Sequence, residues 1–371
     1  MKIDVILNLF FPIFIFIWLF FHFDFFRKFR LKSKSNFKSL CFILWIAFIV
    51  FLIFVIKYFS ILKELHDIDD AINGAVKGYL KGINPYKEEI VPRFAEFKDG
   101  KAIMKNSTFN YPPTCLYIYS VFYILLNPII DEFWYPITNI IIGILIFFIF
   151  SLTFPEISKL ISFPIIGSIF LLFIFDNIVL TLFFVSISFY FIINSTHSYR
   201  HFFALLFLLI GASIKLIGSL SLAVLFLYIL QKYKLNKNLL LFILIAPIFL
   251  LITTFPFGIY NVIYSTIFYF SNISIRSQTS IYGGTFLVYI LGNSPYFTII
   301  SNICITALII TSLFIKNLYS KLFLPESLLP LFTIQASRSL LLIPFYILLI
   351  FIILKLYPHL EKSGEAINLN P

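Results

Sequence analysis

Asp67-Ile-Asp69-Asp70 sets three carboxylates within four positions, in the longest polar stretch of an otherwise apolar chain. Charged carboxylates held beside apolar segments cost free energy, so a cluster of them there is a candidate functional site. Two chemistries fit. A carboxylate within hydrogen-bond reach of a hydroxyl or an amide takes its proton as it attacks a carbon centre, which makes Asp67 or Asp69 a candidate general base. The spacing does not choose between them. Asp67-x-Asp69 also offers oxygen ligands to a hard divalent cation such as Mg or Mn, although a lone D-x-D has little specificity. The structural alternative is helix capping, but a cap employs one carboxylate and leaves two unexplained.

Other polar residues interrupt the apolar sequence. Asp176-Asn177 lies between Phe175 and Ile178, and Lys215 stands in Gly-Ala-Ser-Ile-Lys-Leu-Ile-Gly between two apolar runs. An isolated carboxylate there needs a partner or a water-filled cavity. A lysine there either snorkels to headgroups or serves as a point charge for a phosphate. Arg276 and Arg338 are later candidates, since a guanidinium fork binds phosphate through two parallel bonds. Asp70, Tyr86 and Tyr111 complete the candidate substrate-binding set with Asp176, Lys215 and Arg338.

The elements that position these groups follow from spacing. Ala71, Ile72, Ala75, Val76, Tyr79 and Leu80 share one helical face and Asn73, Lys77 and Lys81 the other, which predicts a surface helix over 70–81. Asp67, Asp69 or Asp70 caps its start and Gly82 ends it. Gly82-Ile-Asn84-Pro85-Tyr86 reads as a turn that fixes where the helix sits. Tyr111-Pro112-Pro113 enforces an extended entry into the next segment.

Sixty per cent of the 371 residues are hydrophobic and one in five is aromatic, and the mean hydropathy is +0.99. No soluble domain of this length has such a composition, and apolar runs of membrane-crossing length recur from end to end. The net charge of +11 would point to nucleic acid in a soluble protein. Here Lys and Arg cluster in short loops between apolar runs, so the positive-inside bias accounts for it and no nucleic-acid partner is expected. Cys41, Cys115 and Cys304 are scattered in or beside apolar runs without metal spacing and read as packing residues. The run from Val5 to Phe21 lacks a basic leader beyond Lys2 and a small-residue cleavage site, so it reads as a span rather than a signal peptide.

Arg27, Lys28, Arg30, Lys32, Lys34 and Lys38 mark the loop after the first span as cytoplasmic. The second span then runs outward, and residues 60–110 become an extracytoplasmic loop holding eight of the seventeen acidic residues. Later basic clusters around Arg200, Lys232 to Lys237 and Lys316 to Lys321 alternate correctly only if 111–130 does not cross. That segment opens on Pro112-Pro113 and closes on Asn127-Pro128, so it reads as re-entrant or interfacial. Spans are expected near 6–23, 40–59, 136–153, 160–175, 178–194, 202–215, 217–231, 239–254, 297–315, 322–337 and 339–357. The expectation is thus an all-α, polytopic, single integral membrane domain over 1–371, with about eleven spans, a second interfacial piece at 281–291 and a cytoplasmic tail at 358–371.

The acidic trio, the Gly82 to Tyr86 turn and Tyr111-Pro112-Pro113, in this order after the second span, resemble the first extracytoplasmic loop of GT-C superfamily glycosyltransferases, above all their mannosyltransferase-like members. The resemblance covers about a fifth of the chain. It implies transfer of a hexose, mannose for preference, from a polyprenyl- or dolichyl-phosphate carrier to a lipid, glycan or protein acceptor outside the cytoplasm. It also implies that a loop acid, here Asp67 or Asp69, is the catalytic base. A proline common in the family near Gly218 is absent here. The rival expectation is a transporter or lipid flippase without transferase activity, which would need ionisable or discontinuous elements at the bilayer midplane; the ionisable groups here gather at one edge.

Overall fold

The computed structural model describes residues 67–98, 101–155, 176–215, 219–266 and 296–315, with scattered positions at 45–57, 167, 174, 318–322 and 346–350. The expected span at 6–23, the basic loop at 27–38, the piece at 281–291, Arg276, Arg338 and the tail at 358–371 lie outside the described residues. Of the expected spans at 40–59, 160–175, 322–337 and 339–357, only scattered positions are described.

The described chain is mostly helical. Its elements are α1 (Asp67–Leu80), a hairpin of β1 (Val91–Lys98) and β2 (Lys101–Ser107), α2 (Pro113–Ile130), α3 (Trp134–Thr153), α4 (Ile178–Ile193), α5 (Arg200–Ala212), α6 (Ser219–Tyr233), α7 (Lys237–Thr254), α8 (Ile259–Thr266) and α9 (Phe297–Leu313). Two helical stretches, Pro113–Thr153 and Lys237–Phe257, are long and apolar enough to cross a membrane. The first is not one rod. A short turn at Asp131–Phe133 breaks it, with Asp131 at a φ of 44°. Tyr119 donates to Asn139 Oδ1 at 2.9 Å, and Tyr123 packs edge-on to Trp134 at 5.1 Å. Residues 20 apart would be about 30 Å apart along a straight helix, so α2 folds back on α3.

Helices α4 and α5 form the centre, an antiparallel pair closed by interdigitated phenylalanines: Phe191 stacks on Phe203 at 5.2 Å and on Phe207 at 5.7 Å. Near one end Gly211 lets the backbones meet. A Cβ there would come within 3.3 Å of the Thr181 carbonyl, and the Thr181 hydroxyl donates to the Gly211 carbonyl at 3.4 Å. Small and hydroxylated residues at helix contacts allow this close approach where both surroundings and core are apolar.

The bundle has two chemically distinct ends. At one, Asp176 precedes α4 and Lys215 follows α5. At the other lie Arg200, Lys232, Lys234 and Lys237. Asn194, closing α4, donates to the Leu152 and Thr153 carbonyls at the end of α3 (3.0 and 2.7 Å). Asn238 donates to the Ser198 carbonyl at 3.1 Å, and His201 stacks on Tyr233 at 4.7 Å. These contacts bring the end of α6 and the start of α7 to the Arg200 end. Helix α7 therefore returns to the Asp176 end, where the Asn84 amide donates to the Phe257 carbonyl at 2.9 Å.

Among the described residues, helix α2 meets the bundle at its Asp176 end. Asn177 reaches Cys115 Sγ at 3.6 Å and Tyr117 donates to the Thr253 carbonyl at 3.3 Å. Its first half is buried, while Val121, Ile124, Leu125 and Ile129 are exposed.

Two expectations need correction. The fold is not purely α. Val91–Lys98 and Lys101–Ser107 form an antiparallel pair, with Lys98 opposite Lys101. The helix of the acidic trio begins at Asp67, so all three carboxylates lie in its first turn rather than ahead of it. Its apolar face is otherwise as expected: Ala71, Ile72, Ala75 and Val76 are fully buried, though Leu80 is exposed. Gly82 ends it at a φ of 79°.

The charge bias of the sequence predicts the Asp176 end outside and the Arg200 end inside. Lys81 and Lys234 are both exposed, one at each end. With the native cysteines replaced, Lys81→Cys should react with a membrane-impermeant thiol reagent on intact cells and Lys234→Cys only after permeabilisation. The reverse pattern would invert the orientation.

Candidate functional site

At the Asp176 end the sequence turns sharply between apolar segments, and Asp176 organises the turn. Its Oδ1 accepts from the Ile178 amide at 2.9 Å, satisfying an otherwise orphaned donor at the start of α4. The same oxygen accepts from Lys215 Nζ at 2.9 Å, and the two side chains are only 7% and 13% exposed. The lysine does not snorkel; it points inward onto the acid. Its ammonium also stands 5.9 Å from the centre of the Tyr111 ring, within cation–π range.

Tyr111 links this pair to the acidic loop. Its carbonyl accepts from the Tyr86 hydroxyl at 2.8 Å. Tyr86 is buried among Phe109 at 5.6 Å and Phe257 at 4.9 Å. Burial first, then Cys115 and Tyr117, hold the Tyr86 pKa well above its usual value, so the phenol stays a neutral donor. Tyr86 therefore pins the loop to the bundle and has no hydroxyl hydrogen left for a ligand. Asn84 Oδ1 accepts from the Tyr86 amide at 3.0 Å while its amide reaches Phe257, which explains Asn-Pro-Tyr at this turn. Gly74 and Gly78 let α1 lie against Ile90 and Pro92: a Cβ at Gly74 would meet Pro92 Cδ at 2.5 Å.

The three acids of α1 differ in surroundings. Asp69 is 5% exposed, whereas Asp70 is exposed. Of Asp67 the structure describes the backbone, which opens the helix. One turn beyond Asp69, Asn73 Oδ1 accepts from Trp134 Nε1 at 3.4 Å, so this face of α1 looks onto the start of α3. There Tyr135 is fully buried and in electrostatic range of both the Asp69 and the Asp176 carboxylates. Its hydroxyl stands beside that of Tyr119 but forms no well-aligned hydrogen bond. Thr114 Oγ1, Ser120 Oγ and Asn177 Oδ1 are buried nearby on α2 and the α4 turn in the same condition.

The fold thus brings Asp69, Tyr111, Asp176 and Lys215 to one end. It uses Tyr86 structurally, exposes Asp70, and leaves Arg338 outside the described residues. Sequence reasoning missed Tyr119, Tyr135 and Asn139, and noted Asn177 only as the neighbour of Asp176. The signal was present as polar groups at the outer ends of apolar segments, where an unpaired polar atom is costly. Asn139 bridges the Tyr119 hydroxyl and the Ile174 carbonyl, the latter at 2.8 Å. The expected Mg or Mn ligands are Asp67 and Asp69; the Asp67 side chain lies outside the described residues, and among the described residues no three His, Cys, Asp or Glu side chains stand together.

A buried ion pair leaves an uncompensated charge when one partner is removed. Lys215→Met should lower stability by about 3–5 kcal/mol, while Lys215→Met with Asp176→Leu should be much milder. Thermal unfolding of the purified protein measures both, and additive losses in the double variant would mean the two groups are not coupled.

Comparisons with family models, with curated proteins and with solved structures returned no match for this chain.

Proposed function

We propose that this chain is a polytopic membrane glycosyltransferase of the GT-C kind. It would transfer a hexose, mannose for preference, from a polyprenyl-phosphate carrier to an extracytoplasmic lipid, glycan or protein acceptor. The observation that supports this best is the Lys215–Asp176 ion pair, with side chains only 13% and 7% exposed, at the same end of the bundle as the buried carboxylate of Asp69.

Glycosyl transfer from a lipid phosphate needs two charged functions. The acceptor hydroxyl or amide must lose a proton as it attacks the anomeric carbon, and Asp69, or Asp67 one position before Ile68, is the base. The leaving phosphate gains negative charge as the glycosidic bond breaks, and the Lys215 ammonium receives it. Asp176 holds that ammonium in place for the phosphate. Tyr111 forms the wall beside it. Tyr135, whose buried hydroxyl lacks a well-aligned bond, orients the sugar or the acceptor. No step is routed through a metal ion.

Reconstitution in liposomes with a panel of polyprenyl-phosphate hexoses and acceptors tests the reading by release of the lipid phosphate. Asp69→Asn should lower turnover by about 10²–10⁴-fold with little change in the unfolding midpoint. Full activity in both Asp69→Asn and Asp67→Asn would remove the loop from the chemistry. Tyr135→Phe should slow transfer while leaving stability within about 1 kcal/mol, since the hydroxyl it removes lacks a well-formed bond.

A further inference from the structure

The opposite end of the bundle carries a second feature that sugar transfer does not use. Tyr199, in the loop before α5, faces Lys237 at the start of α7, with Nζ 4.8 Å from the ring centre. Below them a groove of about 370 Å³ is lined by Tyr199, Lys237, Leu240, Leu241 and Leu244. The apolar lane continues along α7: Leu240, Leu244, Ile248 and Leu251 are 52%, 64%, 49% and 51% exposed. From Leu240 to Leu251 it runs about 16 Å, close to the depth of one hydrocarbon leaflet.

The head of the groove is unusually positive. Two helix N-termini meet there, tied by the bond from Asn238 to the Ser198 carbonyl. Each opens on a cation, Arg200 in α5 and Lys237 in α7, and neither has an acidic residue in its first turn. Cations at the positive ends of helix dipoles are disfavoured, and an anion between them relieves both. Helices α4 to α7 carry no anion of their own, because no Asp or Glu occurs between Asp176 and Glu326.

We infer that this groove binds one anionic phospholipid. The phosphate sits between Lys237 and Arg200, the glycerol region lies against Tyr199, and one acyl chain follows Leu240 to Leu251. A zwitterionic lipid would bring its own cation to a site already rich in them, so the selectivity is for net negative headgroups. The site is independent of the proposed transferase activity and lies at the other end of the helices.

The test uses the full chain in detergent with a trace of fluorescent phosphatidylglycerol or chain-matched phosphatidylcholine, read as lipid retained per protein. Phosphatidylglycerol should be retained in preference, and soluble glycerol phosphate should not displace it. Lys237→Gln should lower retention about five-fold, the weight of one cation near an anionic lipid, and Leu244→Asn should lower it through the acyl lane. Lys234→Gln removes the same charge outside the groove and should leave retention unchanged. Lys237, Leu244 and Lys234 are all exposed, so the fold tolerates each change. Equal losses in Lys234→Gln and Lys237→Gln, equal retention of the two lipids, displacement by glycerol phosphate, or an unaffected Leu244→Asn would each overturn the site.

Discussion

The ion pair between Asp176 and Lys215 is the contact on which the rest of this end depends. It joins the entrance of α4 to the exit of α5, and through Tyr111 it meets the start of α2. Charges removed from water are stable only with a near-ideal partner and further hydrogen bonds. The pair has both, since one carboxylate oxygen serves the lysine and a helix-terminal amide together. The stretch from Tyr86 to Tyr111 then has a fixed surface to settle on. Phe257, arriving from α7, packs on Tyr79, Tyr86 and Tyr117, which locks the acidic helix over the pair.

Much of the helical framework was legible. The segments expected at 136–153, 178–194, 202–215, 217–231 and 239–254 appear within a few residues of those limits, because unbroken apolar runs between polar punctuation leave the backbone no alternative in an apolar setting. The hairpin was not legible. Arg93, Glu96, Lys98, Lys101 and Lys105 spoil the apolar alternation that marks a strand. The acidic helix was legible because its apolar face repeats at helical spacing. Its register against Tyr135 was not, since that depends on two glycines that admit Ile90 and Pro92.

The candidate site divides in the same way. Asp69, Asp176 and Lys215 stood out individually because charge is rare in this sequence. Span parity also placed Asp176 and Lys215 at the same edge as the acidic loop, but with 39 positions between them the sequence carries no sign of the direct bond. Tyr119, Tyr135 and Asn139 were hidden because a tyrosine or asparagine at the edge of an apolar run is usually read as a headgroup anchor. Only packing shows them turned inward.

The scarcity of carboxylates has a consequence for how the chain finds its fold. Helices that pair inside a membrane can slide by a turn at little cost when both faces are uniformly greasy, as the phenylalanine contacts of α4 and α5 are. Lys215 has no acidic neighbour for over a hundred residues beyond it, so Asp176 is its nearest candidate along the chain by a wide margin. A slip of either helix would strand both charges in hydrocarbon. The pair thus acts as a registration mark, and the empty acidic landscape around it removes the decoys that could trap the hairpin in a wrong alignment.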